Sequence, residues 1–568
     1  MTAETTRNFR IRLAFWFLGA ALGFSQAWTA RLDADDNTIT YLDIGSNFFH
    51  GHYSAFINGF WSPLYSLLLS LPIIVFKPSM YWVYPIVHLV VFFGFLFTMA
   101  CFDYFLRRSM QLRCDLDPEK KSSSELDWVW ITIGYTLFLW SSLIWIEVSK
   151  VTVDSLVAGF FFLSCGLLVA ISSGRARWNA FLGLGVILGF TYLAKFFLLP
   201  ICLLILVIAW LVAKQKARYV MISAIAFVAI AAPFIAALSV HVGKFTYGER
   251  ATYDYAVTVN QIQYYHWQGS TTMPLAHPTR KIFSAPDTFE FREPFKGTYP
   301  PQYDISYWYE GTKPQVHVFQ ESKVLASNLF WEFETLFYSL DGLLLTALFL
   351  AFYETGRGWL ILKDILRYWF LIVPCVAVAI LFALVFYLPE YLAAPYVVVF
   401  LCLFLSAVFT VPKPRLPSGV AVLQLAMFIG LAAFPLLLHL FHVHPLHSGV
   451  AETASYQQVA EKAIEMGLKP GDQIASLNYS NEKMAMWAHL VGVQIIAEVY
   501  YRTDLPPEGS ANNFWNADPL TQERVIQKLA QAGARAVVSQ DAPRGAGAGR
   551  WLEMGTTGYY LLWLKPAE

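Results

Sequence analysis

Two adjacent aspartates, Asp35 and Asp36, stand in Arg31-Leu-Asp-Ala-Asp-Asp-Asn-Thr-Ile-Thr-Tyr-Leu-Asp43, just beyond an apolar run. A carboxylate held there can act as a general base, taking a proton from an attacking hydroxyl. The same pair can hold a hard divalent cation, Mg2+ or Mn2+, through oxygen ligands. A plainer role is also open, because Asp36 suits the N-cap of a following helix. Down that helix Asp36, Thr40, Asp43, Asn47 and His50 recur at spacings of four and three, which puts them on one face. Ile39, Leu42 and Phe49 line another face. The pattern predicts a helix in the plane of a membrane surface, apolar face to lipid, polar face to protein or solvent.

Other residues suited to chemistry are spread along the chain. Asp154 lies in Val151-Thr-Val-Asp-Ser-Leu156. An acid at a helix start is favourable with the helix dipole, yet an ionisable group at a membrane helix end is also a functional candidate. Lys195 lies in Gly189-Phe-Thr-Tyr-Leu-Ala-Lys-Phe-Phe-Leu-Leu-Pro200. It either snorkels to the interface or offers a point charge to a phosphate. Ile57-Asn-Gly-Phe-Trp-Ser-Pro-Leu-Tyr65 brings Trp61 and Tyr65, large rings with polar edges, after His50. His277-Pro-Thr-Arg280 is a further candidate contact for phosphate. His266, His277 and His317 lack the tight spacing of a metal site.

The elements that must position these groups belong to a membrane protein. Of the 568 residues, 57% are hydrophobic and 14% charged, against about 45–50% apolar and about 25% charged in soluble proteins. Lys+Arg and Asp+Glu are 40 each, so the basic signature of nucleic-acid binding is missing. The apolar residues come in blocks. With about 20 residues needed per crossing, eleven are expected: 12–30, 81–106, 128–147, 154–172, 178–195, 197–213, 219–240, 338–353, 369–388, 392–410 and 419–441. The first run is expected to be a retained helix rather than a signal peptide. The six cysteines lie outside the segments expected on the outer side, against a disulfide framework.

Basic clusters set the topology. Arg7, Arg10 and Arg12 precede the first run, and later clusters follow at 107–121, 175–177, 214–218, 357–363 and 413–415. All fall on the cytoplasmic side only if the short apolar run 60–76 does not cross. The expectation is an integral protein of the cytoplasmic (inner) membrane, with N-terminus inside and two large outer loops, 31–80 and 241–337. The second loop is dense in Tyr, Trp, Pro and His and is expected to form a structured lid. Residues 326–337 are expected as a second interfacial helix.

Residues 12–76 resemble the start of the GT-C superfamily of membrane glycosyltransferases. One transmembrane helix, an acidic pair, a juxtamembrane helix and the aromatic-proline string Asn58-Gly-Phe-Trp-Ser-Pro-Leu-Tyr65 carry the resemblance. It implies a polytopic α-helical GT-C-like fold. It also implies inverting transfer of a sugar from a polyprenyl-phosphate donor, as in mannosyltransferases of this kind, to a glycan, lipid or protein acceptor of the cell envelope. By the same resemblance Asp35 or Asp36 stands at the catalytic base, Asp154 faces the cavity, and Lys195 holds the donor phosphate. The family's Arg-Tyr pair is replaced here by Glu390-Tyr391, which leaves a second phosphate-binding cation unassigned. Two rivals are a flippase for lipid-linked saccharides and a non-enzymatic scaffold. A transporter would carry ionisable residues near mid-membrane and internal repeats, whereas these charges lie at outer helix ends.

The transmembrane domain with its outer loops is expected over 1–448, and a soluble outer (periplasmic) α/β domain over 449–568. Strands are expected at 473–477, 493–498, 536–539 and 559–564, with helices at 454–466, 482–491 and 519–532. Arg544-Gly-Ala-Gly-Ala-Gly-Arg550 joins two strands and opens no helix, so it fails as a dinucleotide fingerprint.

Overall fold

The computed structural model describes residues 3–116, 127–262, 280–291, 296–305, 312–355, 365–409, 448–478, 481–500, 514–540, 543 and 548–564. Among the described residues six helices are long and apolar enough to cross a membrane: Met80–Asp115, Asp127–Ile146, Asp154–Ser172, Lys216–Val242, Leu366–Ala383 and Pro389–Ser406. Shorter apolar helices run over Trp178–Ala194 and Phe196–Val212, and a long one over Ala3–Thr29. With a sheet toward the C-terminus, this is a polytopic helical membrane fold carrying an α/β region. The crossing expected over 419–441, His266 and His277 lie outside the described residues. Residues 326–337 are not a separate interfacial helix. They belong to one continuous helix, Val318–Thr355, because neither Pro nor Gly interrupts 318–337.

The contacts sort the chain into two compact units, each built from three segments. The first holds Met1–Ala30, His88–Asn260 and Val316–Pro445; the second holds Arg31–Val87, Gln261–Gln315 and Leu446–Glu568.

In the first unit, buried phenylalanines at 95, 102, 138 and 162 form the core, with Phe102 and Phe138 stacked at 4.7 Å. A Cβ at Gly185 would stand 2.1 Å from the Ser223 carbonyl oxygen. Helices Trp178–Ala194 and Val220–Val242 therefore meet backbone to backbone, as small residues allow in membrane bundles. Phe17, Met221, Ile225 and Val240 are exposed, a surface suited to lipid. After helix Asp127–Trp140 the chain passes into a π-turn, Ser141–Ile146, which upsets the usual pairing of backbone groups. The buried Gln26 compensates. Its Nε2 donates to the Leu143 carbonyl (2.8 Å) and its Oε1 accepts from the Val148 N–H (2.9 Å).

In the second unit, the acidic helix Asp36–Phe49 packs on helix Pro63–Phe76. Ile39, Leu42 and Ile44 are buried, and Ser70 Oγ donates to the Leu42 carbonyl at 3.1 Å. The expected lipid-facing apolar side therefore faces protein, because Pro63–Phe76 presents small Ser66 and Ser70 as a seat for Gly45. That helix has 14 residues, roughly 21 Å at 1.5 Å per residue, short of the ~30 Å hydrocarbon core.

Among the described residues the sheet has seven strands in the order β1-β2-β4-β3-β5-β7-β6. They are β1 (Arg280–Phe283), β2 (Thr288–Glu290), β3 (Gln473–Asn478), β4 (Gln494–Tyr500), β5 (Ala536–Ser539), β6 (Leu552–Glu553) and β7 (Tyr560–Trp563). β3 pairs parallel with β4 and β5, while the outer pairings are antiparallel. The C-terminal domain is thus not self-contained. A hairpin from the second loop adds β1 and β2, and Phe289 of β2 faces Glu498 of β4 across the ladder. Helix Pro519–Gln531 covers the sheet with Val525 and Leu529.

Candidate functional site

The acidic helix begins at Asp36, and its N-cap is Asp35, not Asp36. Asp35 Oδ1 accepts from the Thr38 N–H at 2.7 Å and from the Thr38 hydroxyl, and its Oδ2 accepts from Asn37 Nδ2 at 3.1 Å. Asp36 Oδ1 accepts from the Asn37 N–H at 2.9 Å. Both carboxylates are half-buried. The cap falls on Asp35 because its backbone is extended, the geometry that lets a side chain reach the third N–H of the helix.

Much of the polar stripe of this helix is covered by protein, and His50 at its end is exposed. Within the second unit the stripe is lined by residues 296–303 of the second loop. Asn47 Nδ2 donates to the Lys296 carbonyl (2.7 Å) and to Tyr303 Oη (2.8 Å). Burial, reinforced by the charge of Asp43, holds the Tyr303 hydroxyl above its ordinary range. Asp43 Oδ2 accepts from the Thr298 N–H at 2.6 Å, and its Oδ1 lies 3.1 Å from His489 Nδ1. His50 closes the helix as an exposed C-cap, its Nδ1 2.8 Å from the Ser46 carbonyl.

Trp61 and Tyr65 are buried and pack edge-on against Tyr41, and Trp61 Nε1 donates to the Gln302 carbonyl at 2.9 Å. The structure gives both rings a packing role in the wall beside the acidic helix. Arg280 opens β1 opposite Glu290. Among the described residues no group of three or more His, Cys, Asp or Glu comes together to hold a metal ion.

The first unit holds a second group of candidate residues. Lys195 ends helix Trp178–Ala194 and is 14% exposed at the side chain. It does not snorkel. Its Nζ donates to Asp154 Oδ1 at 2.7 Å and lies 3.5 Å from the centre of the Tyr391 ring. Tyr391 stacks on Phe382 at 4.4 Å. Around these residues lies a small cavity of about 30 Å3, bounded by Asp154, Lys195 and Glu390 at one side. Val157, Phe161, Leu188, Ile201, Ile205 and Val378 form its apolar walls.

Sequence reasoning found Asp154 and Lys195 but not the aromatic seat. Glu390-Tyr391 had registered only as a departure from a basic pattern, although an aromatic ring next to a helix start was the available signal. It also missed Arg250, whose guanidinium acts electrostatically on both Lys195 and Tyr391.

The structure of ArnT from Cupriavidus metallidurans bound to undecaprenyl phosphate is similar to this chain over 99% of this chain and 98% of its own, at 10% identity and a TM-score of 0.49. The apo state of the same protein aligns over 98% and 97%, at 12% identity and a TM-score of 0.49. No family model and no curated protein matches the chain. Roles for individual residues therefore come from the geometry above.

Proposed function

We propose that the chain is an integral-membrane glycosyltransferase that moves a sugar from a polyprenyl-phosphate donor to an acceptor hydroxyl at the outer membrane face. The observation that carries this reading is the cavity of the first unit. It sets a buried lysine, paired with Asp154 and beside Glu390, at the edge of a small and mostly apolar cavity among the helices. That combination suits an amphiphile with an anionic phosphate and a hydrocarbon chain. A buried ammonium serves as a point charge for phosphate.

The chemistry follows from these charges. The acceptor oxygen attacks the anomeric carbon on the face opposite the phosphate. The bond from that carbon to the phosphate oxygen breaks, its electron pair stays on the phosphate, and polyprenyl phosphate leaves. Lys195 stabilises that departing charge, the kind of preorganised electrostatic help that dominates many enzymes. The acceptor proton passes to the carboxylate of Asp35 or Asp36 as general base. Asp154 keeps Lys195 oriented until the phosphate arrives.

Asp35→Asn and Asp36→Asn, made singly, test the proposal in membranes containing the chain. The probes are radiolabelled undecaprenyl-phosphate-linked glucose, mannose and arabinose, and the readout is label leaving the lipid-phosphate fraction. Loss of transfer in one variant is expected. Undiminished transfer in both would overturn the mechanism. A flippase would instead move the intact labelled lipid across vesicles without breaking it.

A further inference from the structure

We propose that Asp43, Thr298 and His489 form a latch that sets the position of the acidic end of helix Asp36–Phe49, which makes His489 a positioning residue for the transfer reaction. This rests on the acidic pair being the base. The three residues come from the first loop, the second loop and the C-terminal segment. Asp43 and His489 are 446 positions apart, and Asp43 and Thr298 are 255 apart. Both oxygens of Asp43 are engaged. Oδ2 takes the Thr298 N–H at 2.6 Å, and Oδ1 takes the Thr298 hydroxyl at 3.2 Å and His489 Nδ1 at 3.1 Å. A carboxylate only accepts, so the imidazole donates from Nδ1.

Asp43 lies two helical turns after Asp36, on the same face. A short helical stretch moves as one body, so whatever fixes Asp43 also fixes the start of the helix. The second-loop segment grips that start as well. Gln302 Nε2 donates to Asn37 Oδ1 at 3.0 Å, and the Asn37 amide in turn holds Asp35 Oδ2. The segment itself hangs on β4. Ile495 N–H donates to the Thr298 carbonyl at 2.9 Å, and Tyr299 Oη donates to Glu498 at 2.9 Å. The line from sheet to loop to acidic helix is therefore continuous within one unit. His489 closes it by reaching Asp43 from the end of helix Asn481–Val491. The C-terminal segment has, on this reading, a direct part in placing the base, in addition to any contact with an acceptor.

The test uses the full chain in membranes with the labelled undecaprenyl-phosphate sugar that it turns over, and compares His489→Ala, His489→Asn and Thr298→Val. Misplacing a reacting group by about 1 Å can cost on the order of 100-fold. His489→Ala is accordingly expected to lower kcat roughly 10- to 100-fold, with the donor KM unchanged. Asparagine carries an amide donor where Nδ1 stood, so His489→Asn is expected to recover most of the loss. Wild-type kcat in His489→Ala overturns the latch, as does an Asn variant that melts normally yet is no better than Ala. If His489→Ala does not fold, His489→Gln, whose amide matches the Nε2 rather than the Nδ1 position, carries the test, and wild-type kcat there overturns the latch. Thr298→Val removes only the hydroxyl contact, keeps the backbone N–H to Asp43, and is expected to cost less than His489→Ala. Transfer that survives both Asp35→Asn and Asp36→Asn sinks the base assignment. Transfer lost in either of those but intact in His489→Ala sinks the latch alone.

Discussion

Lys195 Nζ sits 2.7 Å from Asp154 Oδ1, and both side chains are largely buried, at 14% and 9% exposure. A pair this buried gains little net stability, since the attraction mainly offsets the loss of hydration. Under the proposed function the pair holds the lysine ready, and an entering phosphate would share its charge with Asp154.

Removing one partner of a buried pair leaves an uncompensated charge, at a cost of about 3–5 kcal/mol. Lys195→Met and Asp154→Leu are each expected to lower the melting temperature in detergent. The double variant is expected to recover it, since both charges are then gone. Donor transfer should stay lost in the double variant. A double variant that transfers sugar like the wild type would remove Lys195 from the mechanism.

The ring of Tyr391 lies under the same ammonium at 3.5 Å. A buried cation–π contact contributes about 2 kcal/mol or more. Tyr391→Phe keeps the face and should bind the donor nearly as the wild type does. Tyr391→Leu should raise the donor KM several-fold. Equal KM values for the two variants would show that the hydroxyl, or neither feature, matters.

Asp35 caps its helix as well as standing in the acidic pair, so two effects must be separated. Asparagine caps as well as aspartate does, whereas alanine costs about 1 kcal/mol. Asp35→Ala is expected to lose both stability and transfer if Asp35 is the base. Asp35→Asn should keep the stability and lose only the transfer. Melting curves and label transfer measured on the same preparations distinguish the cases.

Much of this arrangement was readable from residue order because membrane crossings announce themselves by length and apolarity. The acidic pair was readable too, through its place after the first helix. What could not be read were meetings of remote residues. Asp154 and Lys195 are 41 positions apart, and nothing in their spacing pairs them. The hairpin of β1 and β2 has strands of four and three residues, too short for a clear alternation, and its partner β4 lies far along the chain. The N-cap fell one residue earlier than expected because two adjacent aspartates satisfy the same pattern, and only the backbone angles at Asp35 decide between them. The polar stripe was correctly placed on one face, but the loop that covers it was hidden for the same reason as the hairpin.

Glu332 offers a test by pH. It lies ahead of the apolar stretch of its helix and is buried, and its Oε1 has no hydrogen-bond partner among the described residues. Burial pushes its carboxyl from an ordinary value of 4.5 up to about 7. The folded chain then holds this proton where the unfolded chain has lost it, so stability falls as pH rises between those two values and is level above them. Glu332→Gln keeps the shape without the titration and should flatten that part of the profile. Melting temperatures taken across the window check it, and parallel profiles for the two proteins would count against a buried carboxyl held above its ordinary range.

Gly45 separates the position of the acidic helix from its chemistry. A Cβ there would stand 2.2 Å from Ser70 Oγ and 2.3 Å from the Ser66 carbonyl oxygen. The serine hydroxyl can rotate away, but the backbone oxygen cannot, so helices Asp36–Phe49 and Pro63–Phe76 must part. Overpacking of this kind costs typically 1–3 kcal/mol. Gly45→Ala is expected to lower both the melting temperature and kcat, although no group that touches a substrate has changed. Adding Ser70→Ala should rescue neither property, because the carbonyl clash remains. Rescue by Ser70→Ala would mean that the side chain alone limits the approach, and that the two helices have slack that this geometry denies them.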